Sequence, residues 1–169
     1  MASELPRYIL RNATIFVDRI SRIGQAREIT LPTPEVVVEE FRNAGMVKPR
    51  DVNLGYAKLE SSWVETAFDP AVIGLFGLAP GVVREFMATG ALVDEDGTVT
   101  NATAYQTGFL RQFDPGAWEP GAKAETTFNL SIHTYKLEIG GQPIIEMDDF
   151  DVKIRGVSQY QGIRSALLL

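Results

Sequence analysis

The sequence predicts a mainly β chain, a sandwich or barrel with one flanking α-helix. Three observations carry this. Segments rich in Val, Ile, Thr, Tyr and Phe are punctuated by 15 Gly and 9 Pro, the composition of strands separated by turns. Thr126, Phe128, Leu130 and Ile132 alternate with Glu125, Thr127, Asn129, Ser131 and His133, the period-two pattern of a half-buried strand. Only one stretch carries helix punctuation. At 169 residues and 45% apolar content, residues 1–169 suit one domain able to bury a core.

The elements follow in order. Strand character covers residues 7–18, 23–31, 35–42, 56–66, 82–93, 98–113, 122–139 and 144–155. Residues 43–53 read as a loop with Gly45, Pro49 and mixed charge. That length approaches the limit for a structureless connection without a functional reason. Asp69 can cap a helix, Pro70 suits its first position, residues 71–78 fill it, and Ala79-Pro-Gly81 stops it. Val72, Ile73, Leu75, Phe76 and Leu78 make this helix apolar nearly all round, so it requires cover on several sides.

In residues 98–113 a second alternation places Val99, Thr103, Tyr105, Thr107 and Phe109 on one face, with Phe113 at the end. Asp114-Pro-Gly-Ala-Trp-Glu-Pro-Gly121 is a stiff turn. Its Trp118 is expected to cover a sheet end, with carbohydrate stacking the weaker alternative. Beyond Thr134 the apolar set changes parity, to Tyr135, Leu137 and Ile139. Such a switch marks a bulge or a strand that serves two surfaces in turn. Glu146, Asp148, Asp149 and Asp151 form the densest acidic cluster. As a strand it would put Asp149 and Asp151 on one solvated face and Phe150, Val152 and Ile154 on the other. The chain ends in three leucines, which call for a cover on the same sheet or on a neighbour.

Composition excludes several functions. There is no cysteine, hence no disulfide, thiolate metal site or cysteine nucleophile, as suits a reducing cytoplasm. No run of 18 apolar residues occurs, and the first seven residues have no apolar core of a secretory signal. His133 is the single histidine, spaced by two from Ser131, and reads as an ordinary strand histidine rather than a catalytic base. No Gly-x-Ser-x-Gly, phosphate loop, dinucleotide fingerprint or His-Glu-x-x-His occurs. A net charge of −6 argues against a surface that grips nucleic acid by its phosphates. A structural assembly protein, not an enzyme, fits this profile best; a monomeric enzyme or sugar-binding β domain is the competing class.

The order of motifs resembles the major tail tube proteins of contractile-tailed bacteriophages, a family shared with the tubes of R-type bacteriocins. Asn12-Ala-Thr-Ile-Phe-Val-Asp18 is similar to the opening strand of that family. Glu28-Ile-Thr-Leu-Pro32 follows, then Phe41-Arg-Asn-Ala-Gly-Met46, Leu75-Phe-Gly-Leu78, and the long piece from Phe109 through Trp118 to Glu125. Tyr135-Lys-Leu-Glu-Ile-Gly-Gly141, Ile145-Glu-Met-Asp148, Gly156-Val157 and Gly162-Ile-Arg164 close the series. Asn43-Ala44 replaces a Gly-Gly-like turn, and Asp18 is followed by Arg-Ile-Ser-Arg22 rather than a short Gly turn.

The resemblance implies the phage tail tube fold, a β-sandwich with a flanking helix. Six copies would form a ring, each lending about four strands to a continuous inner barrel, and rings would stack into a tube. That tube would be the conduit for DNA ejection, driven through the host envelope when the sheath contracts. A tube of an R-type bacteriocin or another contractile injection or secretion machine is the alternative. Implied partners are the chain itself, the sheath, tape-measure, baseplate and tail terminator proteins, and duplex DNA that passes without specific binding. No cofactor and no metal are implied. The product would be made in the host bacterial cytoplasm and reside in the virion tail. Six copies at −6 each sum to −36 per ring, and a negative lumen would repel phosphate. Candidate lumen-facing carboxylates are Glu28, Glu39, Glu60, Glu65 and Glu125. Candidate inter-subunit contacts are Asn43, Gly45, Met46 and Val47 in the loop and Leu167, Leu168 and Leu169 in the tail.

Overall fold

In the computed structural model, residues 6–168 are described; Leu169, one of the expected contacts, lies outside them. Strand β1 (Ile9–Val17) turns into β2 (Ile20–Ser21) through Asp18 and Arg19, both at positive φ, which is what a two-residue hairpin loop demands. β3 (Ala26–Thr30) follows, then β4 (Val36–Phe41), β5 (Arg50–Tyr56) and β6 (Leu59–Glu65). The short helix α1 (Pro70–Ile73) leads to β7 (Arg84–Val93), β8 (Val99–Asp114) and β9 (Thr126–Ile139). β10 (Gln142–Met147), β11 (Val152–Ile154), β12 (Val157–Ser158) and helix α2 (Gln161–Ala166) complete the chain.

Ten strands join in one antiparallel sheet in the order β12-β11-β10-β9-β8-β7-β1-β2, with β6 added to β9 and β3 to β6. β8 and β9 are long enough to belong to two layers. The first half of β9 pairs with β6, from Glu65↔Thr126 to Leu59↔Ile132, and the second half with β10. At the crossing the β8–β9 register jumps from Thr107↔Thr134 to Gly108↔Ile132, leaving His133 as the extra residue of a bulge. Burial changes parity there, from Ile132 to Tyr135. The predicted parity switch thus marks one strand serving two surfaces. Gly108 permits it: a Cβ at this position would lie 2.0 Å from the Ser131 carbonyl oxygen.

The core lies between the layers. Trp63 of β6 stacks on its cross-strand neighbour Phe128 at 4.7 Å and meets Phe86 of β7 at 5.8 Å. Ile15, Leu110, Leu130 and Met147 join them. Ser61 donates to the Gln106 side-chain oxygen at 2.6 Å, tying β6 to β8 inside the core.

Several expectations need correction. The segment 144–155 is not one strand: residues 148–151 form the β10–β11 turn, and Asp151 is buried instead of solvated. Its carboxylate accepts from the Ser158 hydroxyl and the Val152 N–H and pairs with Arg164. The loop expected at 43–53 shrinks to residues 42–49, because β5 begins at Arg50 and pairs with Phe41. In β8 the core set is Ala104, Gln106, Gly108 and Leu110, whereas Tyr105 and Phe109 face outward. Of this set only Leu110 carries a strong hydrophobic signal. The helix ends at Ile73, and of its residues only Val72 is buried, with Phe76 beyond it exposed. Trp118 does not enter the core; it is 71% exposed and meets Phe68 edge to face.

Candidate functional site: a polar four-stranded face with open borders

Strands β3, β6, β9 and the second half of β8 lie side by side, and their register sorts side chains into rungs. Ile29, Trp63, Phe128 and Phe113 form an inward rung. Thr30, Ser62, Asn129 and Gln112 form the adjacent outward rung, and Glu60, Ser131 and Phe109 another. One side of this layer is core; the other is mostly hydroxyls, amides and charges, with Phe109 among them.

Two of its carboxylates, Glu60 and Glu125, are neutralised in place. Glu60 sits 2.7 Å from both Lys58 and Arg111, and the Lys58 hydrogen bond, with Arg111 adding its charge, holds its carboxyl below the ordinary range. Glu125 pairs with Arg27. Glu28, Glu60, Asp114 and Glu125 stand against Arg27, Lys58 and Arg111, so the face nets −1 (three positive, four negative). The −6 of the chain is therefore not concentrated here.

Two of the carboxylates expected to face a lumen, Glu39 and Glu65, are not on this face. Glu39 is exposed on the β4–β5 hairpin, opposite Val52. Glu65 is fully buried and cannot line any channel. Its oxygens accept from Arg22 at 2.9 and 3.1 Å and from the Trp63 indole N–H at 3.0 Å. Arg22 also reaches Asp69 at 2.5 Å, and Asp69 caps α1 by accepting from the Ala71 N–H at 2.8 Å. Donation to the Glu65 carboxylate raises the Arg22 pKa against the desolvation of the guanidinium. Arg22, then the Ala71 N–H, hold the Asp69 carboxyl below its usual range. Sequence reasoning missed this cluster, although a signal existed: Glu65 shares parity with Leu59, Ser61 and Trp63, the inward set.

The borders of the face are open. Among the described residues β3 pairs on one side only, and the end of β8 beyond Gly108 is met on its outer side only by a bridge from Phe76 to Leu110. The β4–β5 hairpin stands apart as a two-stranded sheet that exposes apolar side chains along its length, ending in Val47 at 95%. Asn43, Gly45 and Met46 shape its tip, where the Met46 N–H reaches the Asn43 carbonyl. The tail leaves Leu167 and Leu168 bare just past α2, which buries none of its side chains. His133 lies beside Phe109 at the bulge, and no cluster of metal-ligating side chains occurs among the described residues.

Known proteins place this architecture. A tail tube protein of Escherichia phage P2 is 26% identical over 161 residues, covering 92% of this chain and 94% of the relative. Two solved structures share the fold at low identity. One is the sheath–tube complex of an extracellular contractile injection system (PVC) in the extended state, with a TM-score of 0.54, 11% identity, and 82% of this chain and 93% of the other covered. The second is the sheath/tube terminator of that system, with a TM-score of 0.57, 12% identity, and coverage of 82% and 99%. A family model described as phage tail tube protein FII matches residues 6–167, nearly the whole chain, and the protein therefore belongs to the phage tail tube protein FII family.

Proposed function

We propose that six copies close into a ring through their open borders, β3 of one copy lying beside β8 residues 109–114 of the next, and that rings stack into the inner tube of a contractile phage tail. The observation that carries this reading is the four-stranded layer with a mostly polar outer side, an aromatic inward rung and, at each side, an edge that no partner strand covers. An unpaired strand edge is a template for another chain. Joining one edge to the other is a head-to-tail contact that closes into a ring when the rotation permits. Six copies of four strands give 24, and at about 4.8 Å spacing and 40° tilt the backbone radius is roughly 24 Å. Lining side chains leave an opening of roughly 40 Å, ample for duplex DNA.

The lining is Glu28, Glu60 and Glu125 among hydroxyls and amides. It resists DNA by lacking free cations, since Arg27, Lys58 and Arg111 are each held by a carboxylate and adhesion needs several phosphate contacts. The tube does no chemistry and needs no cofactor. A sheath surrounds it, a tape-measure protein fills it during assembly, and terminator and baseplate proteins close its ends; sheath and terminator are supported by the assemblies in which the solved relatives occur. Synthesis takes place in the host cytoplasm. The near-neutral lining also suits a second reading, a bacteriocin or injection-machine tube with protein cargo or none. Negative-stain microscopy of the purified protein tests the main reading: hollow tubes of uniform diameter are expected, and monomers alone at high concentration would overturn it. Nuclease-protected DNA inside native particles separates the two cargo readings.

A further inference from the structure

We propose that the tip of the β4–β5 hairpin of one copy seats in the groove beside the β10–β11 turn of a second copy, so that copies add head to tail along the tube. The inference rests on the tube reading and assigns to it the contact that joins successive rings.

The donor is basic and apolar. Residues 42–50 hold Arg42, Lys48 and Arg50 with no carboxylate, in a chain of net −6. The other cation-rich stretch, residues 19–27, has its three arginines in ion pairs with Glu85, with Glu65 and Asp69, and with Glu125. Arg42, Lys48 and Arg50 enter no ion pair among the described residues, and Val47 stands between them 95% exposed.

The acceptor is the complement. Residues 146–151 hold Glu146, Asp148, Asp149 and Asp151 and no cation. Asp151 is satisfied internally, Glu146 faces Lys136, and Asp148 holds the turn by accepting from the Phe150 and Asp151 N–H groups. Asp149 enters no ion pair among the described residues, and Phe150 is 76% exposed. Together they line a groove with residues 55–59, from the end of the hairpin to the start of β6, and with Ile132 and Tyr160. Lys58, also in the lining, is already held by Glu60.

A copy cannot fill its own groove. The hairpin register runs from Val36↔Tyr56 to Phe41↔Arg50, which places the tip roughly 20 Å from the base where the groove begins. Donor and acceptor on one chain, separated along one direction, make a heterologous contact that propagates as an open stack. Each contact is small, and a ring that engages several at once multiplies them.

The chain has no cysteine, so the double variant Val47→Cys, Phe150→Cys gives a clean test. Oxidation is expected to yield a ladder of disulfide-linked oligomers in denaturing gels, because every chain is both donor and acceptor. Each single variant should stop at dimers. Monomers or dimers alone from the double variant, under conditions where the unaltered protein forms tubes, would overturn the docking while leaving the tube reading intact; absence of tubes from the unaltered protein would overturn the tube reading itself. In a second arm, Lys48→Glu with Arg50→Glu should cut tube yield at least tenfold, and adding Asp149→Lys should restore part of it. Undiminished yield from the first variant would overturn the docking of the hairpin's cations, and no recovery in the second would overturn Asp149 as their acceptor.

Discussion

Arg22 holds three segments at once: the loop after β2, the end of β6 through Glu65, and the start of α1 through Asp69. A buried ion pair adds little net stability over apolar packing, but removal of one partner strands the other. Arg22→Ala should therefore destabilise the isolated subunit by about 3–5 kcal/mol, read from the urea midpoint under conditions that block assembly. Asp69 gives the cluster a pH dependence. Its carboxyl is held below the ordinary range, so its contribution is complete above the unfolded value of about 4 and is lost as pH falls through the lower folded value. Asp69→Asn should flatten the acid limb of the stability curve without changing its shape near neutrality. The acidic candidates could be read as residue types, but their destinations could not. Glu28 and Glu60 stay exposed, while Glu65 is pulled inward by an arginine 43 positions away, a distance that local patterning does not register.

The long hairpin of β8 and β9 is the element that makes both layers, and its bulge hinges on Gly108. Gly108→Ala drives a methyl into the Ser131 carbonyl and should cost at least about 1–3 kcal/mol; an unchanged melting temperature would show that the bulge can relax. The parity change in β9 was legible because side chains alternate wherever a strand has one dry face. The parity of β8 was not, because three of its four core residues are Ala104, Gln106 and Gly108, which carry little apolar signal beside Leu110. The helix shows the same limit. Its cap at Asp69 and Pro70 was readable from local chemistry, but its length was not, since Gly77 at positive φ and the bridge from Phe76 to Leu110 redirect the chain. Val72→Asp should destabilise the subunit by more than about 3 kcal/mol. Phe76→Asp should cost only about 1 kcal/mol, the worth of its edge contact with Phe113. Solubility and urea midpoints of the two variants check this ordering.

At the scale of the whole molecule, a single copy leaves apolar surface and strand edges in water: the hairpin, the tail, Trp118 with Phe68, and both borders of the four-stranded face. Deletion of residues 166–169 should leave the subunit's urea midpoint unchanged, since Leu167 and Leu168 are exposed, and should shorten or abolish tubes seen by microscopy; tubes of normal length and yield would show that the tail takes no part in assembly. The sequence alone determined the mainly β class, most of its longer strands but not β5 or the break between β10 and β11, the capped helix start, the parity change in β9 and the family, because strand alternation, capping and turn chemistry are local and leave their period in the chain. Only the tertiary structure decided which strands lie side by side, which carboxylates are buried or neutralised, and which edges stay open. Those follow from pairings such as β6 on β9 and Arg22 on Glu65, between residues far apart in the chain, whose energies depend on distances that no local pattern encodes.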